Sequence, residues 1–469
     1  MNALSRTAGI AILLSSLGLS SLAASVAMAQ GSTDASAVDG RWDASLANHG
    51  LVIPFRLDLA GFGPTLKGIF YDGFSPNETT TSATFQDGKL VLNVGHYLTT
   101  IDATLKDGQL VGNVVAHSRD TVTEYAFQAT RHADARTAPA DVPPVAGSWI
   151  IPLDNPSSKG EKAFRLIVQQ QGAEVTASIL RVDGDTGAYS GTFKDGKWLL
   201  SHYDGSRPGV IEISPAPNGT LEILQTSTRP HTATAPAGAS TGANQTASSA
   251  NTPDTFENHY VVTKLTAYRA DVAQAKSLPQ PDDYDAHTTV RDPNEKFTFN
   301  FPDVDGKLVS NEDPRFKGKV VLVIVTGTWC PNCHDEAQFL VQLDKKYRDK
   351  GLAIVALDFE EQEQQGSFER ARAFAKQYGV QYTDLIAGTP SEISDKLPQL
   401  VNFNTWPATI FVGRDGLVKG VHAGFASPAS GEFNKQLKEE FTAKIEQLLA
   451  QNPSQSAAAA TSAPVKPGQ

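Results

Sequence analysis

Trp329-Cys330-Pro331-Asn332-Cys333-His334 holds both cysteines of a 469-residue chain, so the two can pair only with each other, with another molecule or with a bound group. The apolar run Val320-Val321-Leu322-Val323-Ile324-Val325 leads into this stretch, and a helix-patterned segment over 331–347 follows it. The order is strand, sharp turn, helix, with Cys330 at the turn. Unpaired backbone N–H groups at a helix start carry partial positive charge and favour thiolate over thiol, which makes Cys330 the candidate nucleophile. Cys333, one helical turn on, is placed to attack a mixed disulfide formed at Cys330, release the partner and leave a redox-active Cys330–Cys333 disulfide.

Three other chemistries fit a Cys-x-x-Cys-His stretch less well. Attachment of c-type haem satisfies the pattern literally, but it would have to follow a buried strand, and the only methionines, Met1 and Met28, lie in a segment read below as a leader. A histidine as second axial ligand leaves Soret absorbance as the deciding observation. Structural zinc wants four ligands, and no second cysteine pair exists. A purely structural disulfide closing so short a loop would contribute about 2 kcal/mol or less. No metal and no cofactor is expected.

Residues 1–29 read as a cleavable signal peptide: Arg6 in the n-region, an apolar stretch over 8–26 broken by serines, and Ala27-Met28-Ala29 as the cleavage signature. No later segment approaches a membrane span. The mature chain is therefore expected to be exported, most simply to a bacterial periplasm, without a transmembrane segment. A net charge of −11 argues against nucleic acid as a partner. With two cysteines the core must be built by burial, so the lone pair is kept for chemistry.

The first half repeats itself. Gly40-Arg41-Trp42 matches Gly147-Ser148-Trp149, Phe55-Arg56-Leu57 matches Phe164-Arg165-Leu166, and Phe85-Gln86-Asp87-Gly88-Lys89 matches Phe193-Lys194-Asp195-Gly196-Lys197, at offsets of 107 to 109 residues. Short alternating runs between Asp-Gly turns indicate antiparallel meanders. The closing strand of the first copy, ending at Arg131, has its likeness at 265–269, an offset of 138. The excess matches a Thr/Ala/Ser/Pro-rich stretch, read as a disordered insertion at about 226–253. Two β-rich modules are thus expected at 38–135 and 145–270, a linker at 275–294, and a disordered tail at 452–469. His96-Tyr97 and His202-Tyr203-Asp204 recur at related places and are read as surface or strand-edge residues, since neither has acid–base partners nearby in sequence. Nothing in the modules specifies a reaction; partner docking or envelope binding is the reading left for them.

Over 295–450 strands and helices alternate, an α/β arrangement. Gly327-Thr328-Trp329-Cys330-Pro331-Asn332-Cys333, the hairpin before the strand, and Thr405-Trp406-Pro407-Ala408-Thr409 before another strand resemble the TlpA/ResA-like thiol–disulfide oxidoreductases, which have the thioredoxin fold. The resemblance covers roughly 295–450, so the expected fold class is multidomain: two tandem antiparallel β-rich modules, barrel- or sandwich-like, then an α/β thioredoxin-like domain. It implies a cis Trp406–Pro407 bond, with Pro407 packed against the disulfide and Trp329 and Trp406 contacting the substrate.

Thioredoxin places an aspartate six residues before the first cysteine, where this chain has Ile324. The resemblance implies instead a glutamate just after the next strand. Glu361 fits that place, a one-residue shift would substitute Glu360, and the alternative is a solvated acidic loop with Glu363. A peroxiredoxin is disfavoured, because Gly327 and Val323 stand where its threonine and proline would be. The expected function is thiol–disulfide exchange with cysteine-containing exported proteins, as a reductant, reset by a membrane-bound redox partner. The competing reading is an envelope-binding or adaptor protein with an accessory thioredoxin domain.

Overall fold

The computed structural model describes residues 37–118, 121–133, 141–185, 187–228 and 255–451. The signal peptide read at 1–29, most of the insertion and the 452–469 tail lie outside the described residues.

Strands β1 (Gly40–Asn48), β2 (Leu51–Ala60), β3 (Lys67–Asp72), β4 (Ser75–Thr79), β5 (Ser82–Gln86), β6 (Lys89–Val94), β7 (Thr99–Lys106), β8 (Gln109–Ser118) and β9 (Thr121–Arg131) form one antiparallel sheet in the order β4-β3-β2-β1-β9-β8-β7-β6-β5. Alternation drives it: in β1, Trp42, Ala44 and Leu46 point inward and their neighbours outward. The Asp87-Gly88 and Asp107-Gly108 turns both take positive φ at both positions, as a two-residue hairpin of matching twist requires.

The second copy runs through β10 (Gly147–Pro152), β11 (Ala163–Gln171), β12 (Glu174–Arg181), β13 (Gly184–Asp185), β14 (Tyr189–Lys194), β15 (Lys197–His202), β16 (Gly209–Pro215), β17 (Leu221–Thr228) and β18 (Tyr260–Arg269), and pairing of β11 with β12 closes it into a barrel. The two copies keep the same anchor. Trp42 donates its indole N–H to the Val38 carbonyl at 2.8 Å and Trp149 to that of Val145 at 2.9 Å. Arg131 covers the first ring at 4.2 Å and Arg269 the second at 4.1 Å. Arg131 and Arg269 are the residues related by the longer offset, so β18 closes the second module as β9 closes the first. Residues 226–228, expected in the insertion, belong to β17.

The C-terminal sheet has the order β24 (Thr383–Gly388), β23 (Leu352–Phe359), β22 (Val320–Thr326), β26 (Ala408–Val412), β27 (Val418–Ala423), parallel in its first three strands and antiparallel at β26 and β27. The first six residues of β22 are buried, as a parallel strand covered on both faces must be. The motif helix Pro331–Tyr347 and the helix Glu432–Ala450 cover one face; Phe297, Phe299, Phe316 and Leu397 cover the other.

Two sequence expectations need correction. The segment 275–294 is not a free linker over its length. A short helix, Tyr284–His287, docks on the C-terminal domain through His287–Asn404 at 2.7 Å and Asp285–His422 at 2.7 Å, and β19 (Thr289–Val290) pairs with β25 (Leu400–Val401). Its polar residues resemble a linker in composition because their partners are more than a hundred residues away. The histidines of the modules are not surface residues either: His96 and His202 are buried, together with Tyr97, Tyr203 and Asp204. Tyr203 enters the core of the first module, edge-on to Phe55 at 4.8 Å.

Candidate active site

The end of β22 delivers the chain to a tight loop in which Cys330 caps the motif helix and Pro331 fills its first turn, where a missing N–H costs nothing. The Cys333 backbone N–H donates to Cys330 Sγ at 3.3 Å, which stabilises negative charge on that sulfur. Both cysteines are free thiols, with Cys330 4% and Cys333 2% exposed. Burial and the neighbouring Cys330 push the Cys333 thiol well above its usual range. The pair is therefore asymmetric: one sulfur receives a backbone N–H, the other is held protonated.

Trp329 donates its indole N–H to the Phe359 carbonyl at 2.9 Å and meets Trp406 edge-on at 5.2 Å. A Cβ at Gly327 would lie 2.3 Å from the Trp329 indole nitrogen, so this ring position requires glycine there. The Trp406–Pro407 bond is cis, and Pro407 O accepts from Gly424 N at 2.7 Å.

The two candidate glutamates are both buried and share Arg370, at 2.9 Å from Glu360 and 2.8 Å from Glu361. Glu360 also accepts from the backbone and hydroxyl of Thr328, so it holds the loop that precedes the cysteines. Burial raises the Glu361 carboxyl to about 7 against the pull of Arg370. Neither lines the space behind Cys333. That space, about 10 Å³ and thus the size of one water, is lined by Cys333 together with Glu336, Asp358 and Asp384. Glu336 accepts from the Thr409 hydroxyl at 2.5 Å, its other oxygen has no partner, and burial raises its carboxyl to about 8. Asp358 is pushed well above the carboxylate range by burial and by Glu360, and Asp384 is raised by the same two causes. Glu336 follows Cys333 by three residues, so helical spacing was the signal that could have found it; Asp358 and Asp384 sit on neighbouring strands and gave none.

The β modules reach the motif directly. His334 donates from Nε2 to the Thr328 carbonyl at 2.7 Å, its Nδ1 pairs with the Tyr378 hydroxyl at 3.0 Å, and its ring packs on Tyr97 at 4.3 Å and His96 at 5.3 Å. His96 in turn pairs with Glu78 at 3.1 Å. Burial, then His96, holds the His334 imidazole well below its ordinary range, so it is neutral. From the second module, Arg207 pairs with Asp204 at 2.9 Å and reaches Asp335 of the motif helix at 3.5 Å. Burial raises the Asp335 carboxyl to about 8 in spite of Arg207. Burial also works against the Asp204 carboxylate, but Arg207 and His202 outweigh it and hold the group below its usual range. Asn332, between the cysteines, donates to the Asp183 carbonyl at 2.7 Å. The same carbonyl accepts from Phe425 N, and Gly184 forms a parallel bridge to Phe425.

The family model described as Redoxin matches residues 290–437. Thioredoxin-like protein YneN of Bacillus subtilis (strain 168) is 33% identical over 128 residues, which cover 27% of this chain and 68% of that protein. The chain belongs to the TlpA/ResA-like thiol–disulfide oxidoreductase family. Thiol-disulfide oxidoreductase ResA of Bacillus thuringiensis subsp. konkukian (strain 97-27) is 29% identical over 147 residues, 31% of this chain and 74% of that protein. Among solved structures, a putative thiol:disulfide interchange protein DsbE from Chlorobium tepidum covers 32% of this chain and 98% of its own length at 22% identity, with a TM-score of 0.26. The protein is accordingly a thioredoxin-like oxidoreductase, and family membership rests on its C-terminal third. No described helix is long and apolar enough to cross a membrane.

Proposed function

We propose that the protein, exported by the 1–29 leader to the periplasm, reduces disulfides of exported proteins through Cys330 and Cys333. The asymmetry of the pair carries this reading: Cys330 Sγ receives the Cys333 N–H, whereas Cys333 is buried beside a carboxyl-lined, water-sized space. Cys330 thiolate attacks one sulfur of the substrate disulfide; a mixed disulfide forms and the other substrate sulfur leaves as thiolate and takes a proton from water. Cys333 then gives its proton to a carboxylate and attacks Cys330 Sγ. The second substrate thiolate is released, and the Cys330–Cys333 disulfide holds the two electrons' worth of oxidation. A membrane-bound dithiol donor would reset it.

Glu336 is better placed than Glu361 to take the Cys333 proton, because it lines the same space and Glu361 does not; with its carboxyl raised to about 8, it does so from the ionised fraction that grows as pH rises toward that value. Trp329, Trp406 and Pro407 would shape the surface against which the substrate lies. Pro331 and Asn332 bring no charge to the turn, which favours a reductant over a strong oxidant. Cys333→Ser expressed in the host should accumulate mixed disulfides on Cys330, visible on non-reducing gels and absent in the Cys330→Ser, Cys333→Ser double variant. Their absence, with a wild-type pair inert toward any model disulfide, would end the reading.

A further inference from the structure

The two sulfurs are covered on several sides by the modules. Asn332 and Phe425 are bridged by the Asp183-Gly184 tip, Asp335 by Arg207, and His334 by Tyr97. A Cβ at Gly424 would lie 2.4 Å from the Val182 carbonyl oxygen, which measures how closely the tip is seated. On the remaining flank, Trp329 and Pro331 form part of the wall of a cleft of about 830 Å³. Its other walls come from the β1–β2 and β8–β9 ends of the first module and the 206–209 and 226–228 segments of the second, with Leu51, Val122, Tyr125 and Tyr260 contributing apolar surface. Val122 is 62% exposed there, an apolar side chain left in water at the mouth of a concavity.

We propose that this cleft is the substrate channel, and that it admits an extended, unfolded cysteine-bearing segment with apolar neighbours while excluding the surface of a folded protein. The proposal rests on the exchange chemistry given above and adds the substrate class. A space of this volume holds a drug-sized molecule or a few residues of extended chain. The broad face of a folded protein would have to displace the Asp183-Gly184 tip or Arg207 before a sulfur could reach Cys330. The modules are thus a selectivity filter built around the motif.

The test compares three disulfides on the full-length reduced protein: a small aromatic disulfide, an unfolded peptide with one internal disulfide flanked by apolar residues, and a folded protein with a solvent-exposed disulfide. We expect kcat/KM for the peptide to exceed that for the folded protein by about tenfold or more. Val122→Trp and Ser227→Trp, both at exposed positions of the cleft wall, should each lower the ratio of peptide to small-disulfide kcat/KM by about tenfold, mainly through KM. Val111→Trp, exposed on β8 away from the cleft, should leave that ratio unchanged. Equal turnover of folded and unfolded substrates, an unmoved ratio in both cleft variants, or an equal fall in Val111→Trp would overturn the proposal. Failure to reduce even the small disulfide would instead remove the exchange reading beneath it.

Discussion

Replacing Glu336 by Gln should change how the C-terminal domain responds to pH more than it changes its stability at any one pH. In the folded protein burial raises this carboxyl from 4.5 to about 8. The folded state therefore holds a proton that the unfolded state has lost between these values, and stability falls as pH rises through that window. The slope is about 1.4 kcal/mol per pH unit, and integration from pH 5 to pH 8 gives a loss of about 3–4 kcal/mol from this one group. Glutamine cannot ionise, so the variant lacks the slope. It keeps the oxygen that accepts from Thr409, while its amide replaces an oxygen that has no partner, at a pH-independent cost of about 1–3 kcal/mol. The variant should accordingly be the less stable form at pH 5 and the more stable one at pH 8. Native-state hydrogen exchange of the buried amides around Leu340 and Leu343, corrected for intrinsic rates, reads the opening free energy of this domain without requiring the whole chain to unfold in one step. Parallel free-energy profiles for the two proteins from pH 5 to pH 8 would refute the reasoning, because they would mean that Glu336 is ionised in its buried site.

Arg370→Met leaves the buried Glu360 and Glu361 without their shared cation and should destabilise the domain by about 3–5 kcal/mol in chemical denaturation; a loss under about 1 kcal/mol would show that the two acids are neutral without it. His334 is buried and neutral, so the unfolded state takes up a proton that the folded state refuses, and stability should be lost as pH falls below the ordinary imidazole range, by at most about 1.4 kcal/mol per unit. His334→Gln should flatten the acid limb of Tm against pH, and an unchanged limb would count against a neutral imidazole. At Gly184, a Cβ would lie 2.1 Å from the Phe425 carbonyl oxygen on a backbone with φ of +116°. Gly184→Ala should therefore unseat the tip and speed alkylation of Cys330 by a maleimide, whereas an unaltered alkylation rate would mean that the tip does not restrict access.

What could be read in the sequence was what local pattern encodes. The apolar run at 320–325, the cysteine spacing and Trp406-Pro407 each sit within a few residues of the element they specify. The Asp-Gly turns and the Trp42/Trp149 repeat did the same for the modules, and the longer offset located β18. The roles of His96, Tyr97, Arg207 and Asp183 could not be read this way. Each meets a residue between 125 and 238 positions further along, as in Arg207 with Asn332 and His96 with His334. Polar side chains such as these are ordinarily solvated, and only the fold shows that their partners remove them from water. Glu361 illustrates the same limit from the other side: its place after β23 was legible, but whether it faced Cys333 or Arg370 depended on the packing of the helix Glu369–Tyr378.

The contacts between units also decide what kind of protein this is. Leu180 of the second module belongs to the apolar core that includes Leu322 and Phe339, and Tyr203 and Val210 belong to the core of the first module. Asp185 accepts from the Ser427 backbone and hydroxyl and from the Ser430 hydroxyl of the redox domain, and from Gly187 N of its own module, so its carboxyl ties the two units together. Buried polar groups of this kind stabilise a structure less than apolar residues of the same shape, and removing one partner is costly. An interface whose purpose was adhesion alone would be better made of leucine. One built from His334–His96, Arg207–Asp335 and Asn332–Asp183 fixes orientation, and it does so at the residues that surround the two sulfurs. Access to Cys330 and docking of the modules are therefore coupled by construction, since whatever approaches Asn332 or Asp335 competes with a residue of the second module.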